Sequence, residues 1–232
     1  MAICLIPLQG LSAEYSPWSL FGGLNFIYNS DGDGVTVIPG MQSNGNPGGL
    51  SSAPSPLCGF VGAEYRLPVA PAIDFAPSAS IYAVQYLWAN NRALPAEIEN
   101  RTAYVPSLFL DFSFLYHIEK DRFLFSFGGG PAILVRAAFL ESGVPSSAKN
   151  DGESLNAGKQ VEAINGYFWE SGRWLYPTLQ AGVRYKLETG WGGGFVLRAG
   201  IPIYNAWAQP GVPFGDSLML LLALTITPPI SK

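Results

Sequence analysis

Between Leu175 and Tyr204, apolar and polar side chains alternate with period two on both sides of a turn near Glu188 to Gly192. The first arm sets Pro177, Leu179, Ala181, Val183, Tyr185 and Leu187 on one face and Thr178, Gln180, Gly182, Arg184 and Lys186 on the other. The second sets Phe195, Leu197, Ala199, Ile201 and Ile203 against Gly194, Val196, Arg198 and Gly200. Two is the period of a strand, so the stretch predicts a hairpin with one face fit for hydrocarbon and one that carries charge. Tyr176, Tyr185, Trp191 and Tyr204 stand at the ends of the arms, where an aromatic belt lies when strands cross a bilayer.

The same pattern recurs along the chain. It predicts strands over Trp18 to Tyr28, Leu57 to Arg66, Ala72 to about Trp88, Ala103 to His117, Arg122 to Phe139 and Ser217 to Thr227. The last has an unbroken apolar row of Leu218, Leu220, Leu222, Leu224 and Ile226. Four polar stretches rich in Gly, Ser, Asn and Pro read as long loops: Asn29 to Pro56, Asn90 to Thr102, Leu140 to about Trp174 and Asn205 to Gly215. Leu67 to Pro71, Ile118 to Asp121 and the turn near Glu188 are short. Eight strands with alternating long and short connections predict an all-β fold, an eight-stranded antiparallel up-and-down transmembrane β-barrel. Trp18, Tyr65, Tyr116, Tyr185 and Trp191 then ring the short-turn rim, and Tyr28, Trp88, Tyr104, Phe139, Tyr176, Tyr204 and Trp207 the long-loop rim.

Composition agrees with this picture. The chain of 232 residues is 48% hydrophobic and only 13% charged, against roughly 25% charged in soluble domains. Something other than water therefore faces much of its surface. A net charge of −4 with no basic run argues against nucleic acid. No downstream window of about 20 apolar residues predicts a transmembrane helix, so membrane entry requires closed strands. Residues 1–13 resemble the end of a secretory signal peptide with cleavage after Ala13, which leaves residues 14–232 as a single barrel domain. Cleavage removes Cys4 and leaves Cys58 without an internal disulfide partner.

In strand number and loop alternation, the chain resembles the small eight-stranded outer-membrane barrels of bacteria, the families of outer-membrane proteins W and X and the membrane domain of A. The resemblance spans Glu14 to Lys232 and rests on pattern rather than on a motif. Such barrels typically end in an aromatic assembly signal, whereas no aromatic follows Phe214 here. The resemblance implies a bacterial outer-membrane location with loops at the cell surface, outer-membrane lipid around the wall, and insertion by the assembly machinery. Likeness to the W type further implies passage of small hydrophobic solutes sideways into the membrane.

The inward positions gather Glu64, Asp74 and Asp111 as acids and Arg66, Arg136, Arg184, Lys186 and Arg198 as bases. Eight strands leave a bore that side chains fill, and charges there must pair because an unpaired one is costly. The expected result is a plug, with a polar conduit for small solutes as its alternative. Pro77, Pro106, Pro131, Pro177 and Pro202 interrupt strand patterns; proline donates no ladder bond, so these positions read as a candidate lateral gate or as bends.

Other candidates carry less. The only histidine, His117, is followed by Ile118 and Glu119 and does not match the His-x-Ser pattern of the lipid A acyl-modifying barrels. It lies at the short-turn rim, away from any nucleophile it would have to touch. The sequence is therefore read as non-enzymatic. Asp31-Gly32-Asp33-Gly34 lacks the later ligands of a calcium loop, and neither Gly128 to Gly130 nor Gly192 to Gly194 has the Walker lysine. No metal or cofactor is expected. The functional expectation is a narrow or plugged barrel admitting small solutes, hydrophobic ones among them. Its alternative is an adhesive surface protein binding a host or envelope component through loops around Gly45 to Ser55 and Ser142 to Gly166. A secreted lipocalin-like barrel fits poorly, because the Leu218 to Ile226 row would face water.

Overall fold

The computed structural model describes residues 16–30, 57–89, 91–96, 103–149, 154–208 and 210–229. Residues 1–13, the Asp31 to Gly34 stretch and the Gly45 to Ser55 loop lie outside them. The strands are β1 (Trp18–Ile27), β2 (Leu57–Tyr65), β3 (Leu67–Ala70), β4 (Ile73–Ala89), β5 (Arg92–Ala96) and β6 (Ala103–Lys120). They continue with β7 (Phe123–Gly130), β8 (Ala132–Arg136), β9 (Phe139–Leu140), β10 (Thr178–Lys186), β11 (Gly192–Gly200) and β12 (Met219–Thr227). A single α-helix among the described residues, α1 (Ala157–Trp169), precedes β10.

Eight antiparallel staves, β1, β2, β4, β6, β7, β10, β11 and β12, hydrogen-bond in that order, and β12 closes on β1 from Ile27↔Met219 to Leu20↔Ile226. The expected fold is therefore the observed one. The faces match the alternation: along β12, Met219, Leu221, Ala223, Thr225 and Thr227 are buried while Leu220, Leu222, Leu224 and Ile226 are exposed. The exposed face continues through Leu20, Leu24, Val61, Ile81, Phe114, Phe125, Phe127, Leu179, Phe195 and Leu197. Each such side chain left in water forgoes roughly 1.5–3 kcal/mol of transfer free energy, so the wall requires hydrocarbon around it.

Inward glycines let the staves run close together. A Cβ at Gly128 would overlap the carbonyl oxygen of Phe114, and one at Gly194 that of Val183. Crowding relief is thus the role of Gly128, Gly129, Gly130 and Gly194, whereas a Cβ on Gly193 would meet only the Thr225 carbonyl oxygen at 4.0 Å.

The connections depart from the sequence reading in several places. Residues 67–70 form β3 and prolong β2, in the same register from Glu64↔Ser78 through Pro68↔Asp74 and shifted by a bulge before Ala70↔Ile73. The stretch after Ala89 turns sharply, with Asn91 at φ 57°, and β5 folds back on β4 from Ala89↔Arg92 to Gln85↔Ala96. Asparagine tolerates this left-handed backbone, a hairpin signal that the polar composition of 90–102 obscures. The largest difference is α1, inside a stretch read as loop. Asn156 caps it by accepting from the Lys159 amide at 2.9 Å. Its buried positions Ala157, Gln160, Ile164 and Phe168 recur at three and four residues, the helical period.

Helix α1 lies across the long-loop mouth. Asn165 pins it there, accepting from the Ala138 amide at 2.8 Å and donating to the Ala138 carbonyl at 3.0 Å. That exchange satisfies both backbone groups of Ala138 in the gap between β8 and β9. Tyr176, Tyr204 and Trp88 do not join the outer belt of that rim: both tyrosines are buried, with their hydroxyls 2.7 Å apart, and Trp88 is half-buried against Tyr167. Tyr28, Tyr104, Phe139 and Trp207 remain exposed there.

Candidate functional site

The inside of the barrel has two unlike levels. Toward the short turns, Glu64 on β2 is the hub of a charge layer. It accepts from Arg66 Nε at 2.8 Å and from Arg184 on β10, and Arg198 on β11 lies at 3.7 Å. Asp111 on β6 faces Arg198 Nε at 3.2 Å and accepts from Ser113 and Thr178, each at 2.8 Å. Asp74 on β4 lies 3.8 Å from Arg66 and 3.2 Å from His117 Nδ1. Arg198 donates its Nε hydrogen to Gln180 Oε1 at 2.8 Å and an Nη1 hydrogen to Ser78 Oγ at 2.9 Å. Glu64, Asp111 and Arg184 are almost entirely shielded from solvent, so five staves are cross-linked through a dry layer of opposite charges.

Six of the eight expected inner charges meet here: Glu64, Arg66, Asp74, Asp111, Arg184 and Arg198. Lys186 is half-buried at the short-turn end of β10, opposite Gly192. Arg136 stands apart, at the end of β8 near the loop mouth. The polar residues that complete the layer, Ser78, Ser113, Thr178 and Gln180, escape a search for charge alone. Their inward parity was the available signal.

The loop-side level is apolar and aromatic. Tyr82, Tyr86, Phe109, Tyr176, Tyr204 and Phe168 form its centre, with Ile164 and Met219 among them. Arg136 is buried in it, its guanidinium carbon 4.0 Å from the centre of the Phe168 ring and Nη2 donating to the Arg173 carbonyl at 2.8 Å. Above this level, Arg92 meets Asp216 at 2.7 Å, and Asp216 also accepts from the Ser30 amide and hydroxyl at 2.8 and 2.7 Å. The β4–β5 hairpin, the end of β1 and the approach to β12 are thereby tied together. Both partners fall in or beside stretches read as loops, which is why the sequence offered no sign of the pair.

The wall is not uniformly laddered. The β2–β4 seam is paired from Glu64↔Ser78 only as far as Phe60↔Tyr82; Leu57–Gly59 of β2 and Ala83–Gln85 of β4 form no pair beyond that step. A hollow of about 610 Å³ opens on the outer face here, lined by Gly59, Val61, Ile81, Ala83, Pro106 and Leu108 and reaching the inward Tyr82 and Ser107. A Cβ on Gly59 would meet nothing within 4 Å.

Of the five prolines, Pro106 borders this hollow. Pro131 and Pro177 keep their carbonyls in the ladder, accepting from Phe112 at 3.0 Å and from Ile201 at 2.8 Å. Pro202 opens a 3-10 turn at Ile203–Ala206. Pro77 faces the step between β2 and β3, where a missing donor leaves the register unbroken.

No protein family model matches the chain, and no curated protein does. Solved structures to which it is similar are small outer-membrane barrels. The outer membrane protein OprG from Pseudomonas aeruginosa is 12% identical over 93% of this chain and 98% of its own, at a TM-score of 0.46. Neisserial surface protein A is 11% identical over 93% and 98%, at 0.44. The outer membrane enzyme PagL is 10% identical over 91% and 99%, at 0.38. The last corrects one expectation. Enzymatic activity was excluded from the place of His117, but an enzyme stands among the proteins similar to this barrel. A chemical site on such a wall is assembled from side chains of several staves and loops, so the surroundings of one histidine do not decide the matter.

Proposed function

We propose that this chain is an integral barrel of the bacterial outer membrane, closed along its axis by the Glu64–Arg184–Arg198–Asp111 layer, that admits small apolar molecules sideways through its wall. The observation that carries the reading is the unladdered upper β2–β4 seam beneath an apolar hollow. With the axis blocked, a solute in the aromatic level leaves through the wall rather than along the bore. In this reading Pro106 is the gate proline, outer-membrane lipid surrounds the belt, the assembly machinery inserts the chain, and the loops face the cell surface.

The test has two arms. In planar bilayers the protein should show no large stable pore; a large one overturns the closed axis. In proteoliposomes it should speed uptake of a small alkane, and Gly59→Trp, which puts a bulky side chain at a position lining the hollow where a Cβ would meet nothing within 4 Å, should slow that uptake several-fold. Uptake indifferent to Gly59→Trp overturns the sideways route.

A second reading, an adhesive surface platform, is favoured by the order of the rim, where α1 and the Arg92–Asp216–Ser30 tie hold the loops in one arrangement. Deletion of residues 142–166 separates the two. Loss of surface binding with alkane uptake intact supports adhesion.

A further inference from the structure

The two inner levels differ in how their cations are compensated. Arg66, Arg184 and Arg198 all have carboxylates at ion-pair distance. Arg136 is 5% exposed, and no carboxylate lies within ion-pair distance of it among the described residues. Its polar neighbours are neutral: the Arg173 carbonyl, and the phenols of Tyr176, Tyr86, Tyr204 and Tyr82. Its Nε hydrogen has no acceptor. Buried charges are ordinarily paired because an isolated ion in a low-dielectric interior is costly. A guanidinium also presents a planar fork suited to a carboxylate.

The place of Arg136 adds a second, independent observation. Cross-strand register puts it in one row with Ser107 and Tyr82, through Ser107↔Arg136 and Tyr82↔Ser107. Both of those residues also border the apolar hollow on the outer face. A buried cation with a free donor thus shares a cross-strand row with residues that border a hollow facing hydrocarbon.

We infer that this site binds a long-chain carboxylate, with the head group on the Arg136 guanidinium among the tyrosine hydroxyls and the alkyl tail leaving through the upper β2–β4 seam into the hollow. The inference rests on the sideways route proposed above and adds the chemical class of the molecule. Helix α1 then serves as the cover of the head-group site, since Phe168 stacks directly on Arg136.

The test uses the full chain in nanodiscs of zwitterionic lipid, titrated with decanoate and, separately, decanol at a pH where decanoate is ionised. The unmodified protein should bind decanoate the more tightly. Arg136→Gln should weaken decanoate roughly tenfold or more, as loss of a charge-assisted hydrogen bond implies, and leave decanol unchanged. Arg136→Lys should retain much of the preference. Heat-modifiable migration on unboiled gels verifies that each variant is folded. Equal affinity for the two ligands, or decanoate binding indifferent to Arg136→Gln, overturns the carboxylate site while the sideways route stands. Failure of both ligands to bind the unmodified protein overturns the two together.

Discussion

The short-turn half and the loop-side half of the lumen bury similar side chains under opposite rules. In the lower half each arginine has a carboxylate, and the carboxylates have Ser, Thr and Gln donors besides. In the upper half, rings and carbonyls surround a cation that has no acid partner among the described residues. Charge pairing in a dry bore makes a lock, because removing any one partner strands another. A cation left among neutral groups makes a site, because it gains from an anion brought in from outside. On the proposed reading, the contrast separates what closes the barrel from what receives a ligand.

Removal of the hub should have the largest effect. Glu64→Leu leaves Arg66, Arg184 and Arg198 without their shared carboxylate, and stripping one partner from a buried pair costs about 3–5 kcal/mol. The folded, heat-modifiable band should be lost at a markedly lower temperature; an unchanged midpoint would sink the lock.

Next comes the rim. Asp216→Ala removes the Arg92 pair and two Ser30 bonds, a loss of about 2 kcal/mol by the usual cost of a broken buried hydrogen-bond set. Protease cleavage near the β4–β5 hairpin should quicken while the barrel's thermal midpoint holds. A large fall in that midpoint would mean that rim and barrel are one cooperative unit.

Arg136→Met should alter stability by no more than about 1 kcal/mol, with little change in the thermal midpoint, since it trades a stacking contact and one hydrogen bond for relief of a buried charge. A loss as large as that of Glu64→Leu would erase the distinction between lock and site. Glu188→Ala, which breaks the exposed Arg122 pair at the short turns, should leave thermal melting unchanged, as surface pairs of this kind contribute little.

The wall was legible in the sequence because strand parity is a local property: every second side chain between Thr178 and Gly200 faces the side the alternation assigns. Height along the barrel axis is not local. Arg136 has the same inward parity as Arg198, yet the stagger between neighbouring strands lifts it out of reach of Asp111. Helix α1 was hidden for another reason. Its buried face contains Ala157 and Gln160 beside Ile164 and Phe168, with Gly158 and Gly166 within the span, so the helical period is spelled in residues that resemble loop composition. The Arg92–Asp216 pair joins two stretches that carry no periodic signal at all, and only the closure of the barrel brings them together.

That pair also bears on the order in which the protein is made. Ser30 and Asp216 are 186 residues apart, and Arg92 and Asp216 are 124, separations among the slowest contacts for a chain to close. The approach to the final stave supplies the carboxylate, so the rim cannot set before that stave is present. A chain arrested short of Asp216 presents a mouth with its fastening missing, and the fastened mouth marks a barrel that has been completed.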